Sequence, residues 1–257
     1  MGDSAPILFE ERDAIATLTL NRPERRNPLS RAVMLELRDQ LRAIGASKAR
    51  GIVLAANGPV FSAGHDYADM VNRDLAGMRE LLAVCTELMT AVQSIPQPVV
   101  ARVQGLATGA GCQLVAACDL AVAAEDAEFQ TPGGAGGLFC TTPMVSVSRA
   151  IGRKRALEML FTGDKIDAHT AAEWGLVNRV VPAGELAAAT DALIRRATRG
   201  SAFSKGLGKQ AYYAQIDLDQ PKAYAYATEV MASGAVSADG QESIHAFVEK
   251  RRPRFSS

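Results

Sequence analysis

Residues 105–119 read GLATGAGCQLVAACD. Just before them, PVVARV (98–103) is β-branched and apolar enough for a buried strand, and QG turns the chain. Gly109 and Gly111 have no Cβ, so a ligand can approach the backbone there. QLVAAC then continues as a buried helix. The first N–H groups of such a helix have no intrahelical acceptor and carry the positive end of the helix dipole, which suits an oxyanion. Other readings of this stretch exist. Gly-X-Gly is half of a dinucleotide fingerprint, but Leu114 replaces the third glycine and no acidic residue is placed to read a ribose. A Walker phosphate loop needs Gly-Lys-Ser/Thr, which is absent. Close helix–strand packing without a ligand stays open on this stretch alone.

Upstream lies a second glycine-centred loop, FSAGHD (61–66), inside the loop segment NGPVFSAGHD. AIATLTL (14–20) alternates Ala16, Leu18 and Leu20 with Thr17 and Thr19, which is strand periodicity. The polar, proline-broken NRPERRNPLS follows. Ser30 then caps a helix with Val33, Leu37, Leu41 and Ile44 on one face. GIVLAA (51–56) is a short buried strand, and residues 76–95 form a helix carrying Met78, Leu81, Leu82, Cys85, Leu88, Met89, Val92 and Ile95. Downstream, DLAVAAE is a strand and TPGGAGG (131–137) reads as the most flexible stretch. RKRALEMLF, DAHTAAEWG and 184–199 read as helices, with LVNRVV a short strand among them. From 201 onward the pattern is helical only. The expectation is a β/α core over 1–200 followed by a helical region over 201–257. No internal repeat is legible.

Composition narrows the partners. The 257 residues are 48% hydrophobic and 22% charged, ordinary for a globular chain. Lys plus Arg equals Asp plus Glu at 28 each, which favours neither nucleic acid nor an anionic membrane. Cys85, Cys112, Cys118 and Cys140 form no CxxC pair and no zinc spacing, so packed thiols in a reducing compartment are expected, with no metal. No stretch is long and apolar enough for membrane insertion, and the first residues have neither a signal peptide's cationic and apolar regions nor an Arg-rich transit character. A cytoplasmic location is the simplest expectation, with a processed mitochondrial form left open.

Together, the two glycine loops resemble the crotonase (enoyl-CoA hydratase/isomerase) superfamily. The resemblance runs from LTLNRPERRNPLS through FSAGHDYADM, GLATGAGCQLVAACDLAVAAEDAEFQTP and ALEMLFTGDKIDAHTAAEWGLVNRVVP to AFVEKRRPRF. FSAGHD, GCQLVAACD and GLFCTTP are most similar to a branch named for an enoyl-CoA hydratase domain. The resemblance implies an α/β fold, a spiral of ββα repeats with a C-terminal helical region that makes trimers or hexamers. It implies an acyl-CoA thioester as ligand, with no further cofactor. It assigns the oxyanion hole to the N–H groups of His65 and Ala110, and the lining of the acyl-CoA site to Ala63, His65, Asp66, Tyr67 and Ala68. It places Arg26 near the adenine, and Lys250 and Arg251 near CoA phosphates; the alternative reading of each is a plain solvated charge.

The resemblance also shows a departure. The positions of the family's two catalytic glutamates are Gln113 and Gly133 here. A carboxamide keeps the shape of a carboxylate but accepts no proton near neutral pH, and glycine offers no side chain. General acid–base catalysis supplies about 10²–10⁴-fold in rate, so ordinary hydration is expected to be weak or absent. His65, Cys140 and Asp66 are the candidate substitutes, and a water or small anion beside Gly133 is a further one. His169 and His245 read as surface or helix residues. Two functions follow: an enzyme acting on acyl-CoA with altered chemistry, or a non-catalytic acyl-CoA binder or assembly partner of the same fold.

Overall fold

In the computed structural model, which describes residues 5–256, β1 (Ile7–Arg12) and β2 (Ile15–Leu20) form an antiparallel hairpin. Asp13 and Ala14 turn it at positive φ. α1 (Arg31–Gly45) begins at Ser30, whose hydroxyl accepts the Val33 N–H at 3.3 Å. Its buried face is Val33, Met34, Leu37, Leu41 and Ile44, the face expected from the periodicity.

From residue 51 the chain runs through one unit three times: a strand in a large sheet, a short strand in a second sheet, then a helix. The first turn is β3 (Gly51–Ala56), β4 (Val60–Ser62) and α2 (Leu75–Ser94). The second is β5 (Val99–Val103), β6 (Leu106–Thr108) and α3 (Ala110–Ala117). The third is β7 (Leu120–Ala124), β8 (Glu128–Gln130), a 3-10 turn over Pro132–Ala135, α4 (Pro143–Ile151) and α5 (Arg153–Thr162). β9 (Lys165–Asp167) then pairs antiparallel with β8, and after α6 (Ala168–Trp174), β10 (Arg179–Val181) pairs parallel with β7. The large sheet has the order β1-β2-β3-β5-β7-β10 and the small one β4-β6-β8-β9. Successive turns therefore stack in parallel register in both sheets, which makes the chain a spiral.

The long strands are apolar on both faces because both faces are covered. One face joins the core made with α1, α2 and α3; the other packs Val53, Val100 and Val122 against α7 (Leu186–Ala197) through Leu186 and Ile194. β4 lies in the stretch that the sequence reads as a loop, and β6 and β8 lie in stretches to which it assigns no strand. A three-residue strand has too few positions for a period of two to emerge. Within TPGGAGG, read as the loosest stretch, the first two glycines are closely packed, while Gly136 and Gly137 are exposed. A Cβ on Gly133 would lie 2.0 Å from the Leu138 carbonyl oxygen, and one on Gly134 1.9 Å from that of Leu160. These glycines permit close backbone packing rather than mobility.

Beyond residue 201 come α8 (Ala202–Gln215), α9 (Gln220–Val236) and α10 (Ala238–Val248). α8 is anchored to the core by Lys209, whose ammonium pairs with Asp119 at 2.7 Å and donates to the carbonyls of Val92 (2.7 Å) and Gln97 (2.8 Å). Tyr213 donates its hydroxyl to the same carboxylate at 2.9 Å. α9 buries none of its residues, and Tyr224, Met231, Val236, Ile244, Phe247 and Val248 are exposed along α9 and α10. No helix among the described residues is long and apolar enough to cross a membrane.

Candidate active site

The two glycine loops meet at the ends of β4 and β6, and the fit depends on their glycines. A Cβ on Gly64, at φ 82°, would sit 2.8 Å from the Thr108 carbonyl oxygen and 3.1 Å from the Ala110 nitrogen. One on Gly111 would sit 2.6 Å from the Ser62 carbonyl oxygen. Without side chains at these positions, the backbones of the loops touch. The N–H of Gly109, itself at φ 55°, donates to the Gln130 carbonyl at 2.9 Å and ties the second loop to the next turn of the spiral.

The first loop is also stitched to the polar segment before α1. The Leu29 N–H donates to the Gly64 carbonyl at 2.7 Å, and the Ala63 N–H to the Arg26 carbonyl at 2.9 Å. Ser62, fully buried, donates its hydroxyl to the Asn27 carbonyl at 2.8 Å and accepts the Gly64 N–H at 3.2 Å. Asn27, 2% exposed, donates its amide to the carbonyls of Asn57 and Val60, each at 2.8 Å. Asn27 and Ser62 went unnoticed in the sequence reading. The bonds by which they tie separate segments together, from Asn27 to Asn57 and Val60 and from Ser62 to Asn27, span 30, 33 and 35 residues of chain, so no local signature marks them.

The outcome is a cavity of about 540 Å³ with Ala63, Gly64, His65, Gly109 and Ala110 on one wall. Ala110 is the first residue of α3, so its N–H has no intrahelical acceptor. Among the described residues, neither its N–H nor that of His65 has a protein acceptor. The other walls are Met70, Met78 and Leu82 on one side and Pro132 to Gly133 and Gly137 to Pro143 on the other. Met78 and Leu82 lie one turn apart on α2, at the edge of the face that buries Leu81, Cys85 and Leu88, and Met78 packs against that core.

The remaining residues singled out from the sequence fare unevenly. Tyr67 lines the cavity and is exposed. Asp66 does not line it: its carboxylate pairs with Arg25 at 2.9 Å and accepts the Ala68 N–H at 3.1 Å, capping the 3-10 turn Tyr67–Asp69. Ala68 is exposed and also lies outside the lining. Arg26 is exposed and, like Lys250, does not border the cavity. Arg251 is committed elsewhere, to Glu242 and Glu249 at 2.5 Å each. His169 and His245 are exposed, as expected.

The two positions that the resemblance matches to glutamates, Gln113 and Gly133, differ in kind. Gln113 is buried in α3 and outside the cavity lining; its Oε1 faces the Cys85 thiol at 3.8 Å. Burial pushes that thiol up to about 12. Gly133 does border the cavity, but the expected gap is corrected: the place of a side chain is filled by the Leu138 carbonyl and by Cys140, whose sulfur accepts the Gly133 N–H at 3.4 Å. Burial raises the Cys140 thiol above its ordinary value, opposed in part by that N–H, so it stays protonated at neutral pH. The His65 imidazole has both nitrogens buried without a hydrogen bond of ordinary geometry. Burial lowers its pKa, while the Asp69 carboxylate and the nearby Leu29 carbonyl favour its proton.

A parallel-stacked ββα spiral with two apposed glycine loops at one cavity defines a crotonase-type protein. Residues 10–257 match the enoyl-CoA hydratase/isomerase family model, and the chain belongs to that family. It is 42% identical over 260 residues to the mouse protein named enoyl-CoA hydratase domain-containing protein 3, mitochondrial, covering 99% of this chain and 86% of that protein. The crystal structure of human enoyl coenzyme A hydratase domain-containing protein 3 superposes with a TM-score of 0.93 at 40% identity, covering 97% of this chain and all of that one. An enoyl-CoA hydratase from Mycobacterium smegmatis gives 0.95 at 42% identity, covering 99% and 100%.

Proposed function

We propose that the cavity binds an acyl-CoA thioester with its carbonyl oxygen between the N–H groups of His65 and Ala110. The observation that carries this reading is the pair of unpartnered backbone N–H groups on apposed glycine loops, both at the wall of one largely apolar cavity. Donors fixed in this way meet the charge that develops on a thioester oxygen without reorganising. They also polarise the carbonyl whatever the neighbouring side chains are.

The chemistry beyond polarisation is altered from that of a two-carboxylate hydratase. Among the described residues, no Asp or Glu lines the cavity. The side-chain groups there that can exchange a proton are the Cys140 thiol, the Tyr67 phenol and the His65 imidazole, and the thiol holds its proton. Reactions that use an enolate-like oxyanion but demand little of a base, such as C–C or thioester cleavage of an activated acyl group, fit this lining better than hydration. A second reading, an acyl-CoA binder without turnover, is favoured by the same absence of a carboxylate. The exposed apolar residues of α9 and α10 support self-association into trimers or hexamers, and the mitochondrial name of the mouse relative supports a processed organellar form.

The deciding experiment is calorimetric binding of an acyl-CoA panel, followed by a mass-spectrometric screen for turnover. Binding without any turnover leaves the second reading. Turnover that is lost in His65→Ala or Cys140→Ala identifies an enzyme with a substitute proton carrier. Failure of every acyl-CoA to bind refutes both.

A further inference from the structure

We infer that this cavity selects uncharged, apolar acyl groups and rejects acyl chains that end in a carboxylate, an inference that rests on the thioester reading above. Away from the oxyanion wall, the lining is mostly apolar, with Met70, Met78 and Leu82 on one side and Phe139 and Pro143 on the other, and its polar groups there are neutral, the hydroxyls of Tyr67, Thr141 and Thr142. Among the described residues, no Lys or Arg borders the cavity. Two nearby cations are engaged, Arg25 with Asp66 and the Arg73 Nε with the Asp69 carbonyl, whereas Arg26 and Arg79 are exposed and lie outside the lining. A terminal carboxylate carried into this space would lose its water and meet no compensating charge, which is strongly unfavourable. A methyl terminus loses nothing by the same move, and each methylene that is buried adds about fourfold to affinity. The two methionines have unbranched thioether chains that reshape around different apolar groups. Selection therefore acts on charge more strongly than on chain shape.

The test is isothermal titration of the intact protein with butyryl-, hexanoyl-, octanoyl- and adipoyl-CoA, with free CoA as the reference. These saturated thioesters cannot be hydrated, and hexanoyl and adipoyl groups have the same number of carbons. Hexanoyl-CoA is expected to bind at least about tenfold more tightly than adipoyl-CoA, and affinity to rise from butyryl to hexanoyl. Adipoyl-CoA binding as tightly as hexanoyl-CoA overturns the inference while leaving the thioester reading intact. If no acyl-CoA binds better than free CoA, the thioester reading itself has failed. A cation placed on the α2 wall provides the converse: Met78→Lys is expected to narrow the hexanoyl–adipoyl gap. Leu82→Lys repeats this one turn away and guards against misfolding of the first variant. If both fold and both leave the gap unchanged, the α2 wall does not set the selection and the inference is wrong.

Discussion

Ala110→Pro isolates one hydrogen-bond donor. Ala110 opens α3, and proline is well tolerated as the first helical residue because its missing N–H had no helical partner. The preceding residue is Gly109, at φ 55° and ψ −119°, which has no Cβ and so escapes the Cβ clash imposed on most residues before proline. The substitution thus removes the N–H that faces the cavity and leaves the helix able to form. A neutral hydrogen bond is worth about 0.5–1.5 kcal/mol net, so acyl-CoA should bind about two- to twelvefold more weakly. If the protein turns the thioester over, loss of one oxyanion donor should cost about 10²–10³-fold in rate. Calorimetry gives the affinity, and infrared difference spectroscopy of a ¹³C-labelled thioester gives the carbonyl stretch. In the parent the bound stretch should lie below that of free thioester, and in Ala110→Pro part of that shift should vanish. Thermal denaturation controls for folding. A folded variant with the parent's affinity and carbonyl frequency would falsify the assignment of this N–H.

Asp119→Ala should destabilise the chain by about 3–5 kcal/mol in urea denaturation, because it strands the buried Lys209 ammonium and removes the acceptor of Tyr213. Adding Lys209→Met should recover much of the loss, and a double variant no more stable than Asp119→Ala would count against that cause. Gly133→Glu should lower the melting temperature and confer no hydration of crotonyl-CoA, since its Cβ would meet the Leu138 carbonyl oxygen at 2.0 Å; a stable variant with gained activity would contradict the packing. His65 contributes a pH dependence. Its folded pKa lies below the ordinary 6.5, so the unfolded chain binds more protons as pH falls through that value, and the contribution to stability is lost below it. His65→Gln should flatten this slope between pH 6.5 and lower values, and an unchanged slope would place the titration elsewhere.

Much of the fold is legible in the chain itself. Ser30 followed by Val33, Leu37, Leu41 and Ile44 specifies a capped amphipathic helix, and α1 has that cap and that face. The apolar strands at 51–56 and 98–103 likewise form where their composition places them, within a residue. The repeat that makes the spiral was hidden, because β4, β6 and β8 have three residues each and draw their register from neighbouring turns. The family motifs still identified both glycine loops, including His65 and Ala110 at the cavity wall. They also singled out Asp66 and Arg251, whose carboxylate and guanidinium prove to be engaged in ion pairs that sequence separation conceals.

The sequence by itself therefore determined which backbone could come close to a ligand: glycines at 64, 109 and 111 remove the Cβ atoms that would hold two loops apart. It determined equally that no carboxylate stands at 113 or 133. Only the tertiary structure decided what those two positions became. Gln113 faces a thiol on α2 outside the cavity lining, and the space beside Gly133 is closed by Leu138 and Cys140. The physical reason is that a residue's type sets the chemistry available to it, whereas its neighbours across the fold set the water, charge and volume in which that chemistry operates.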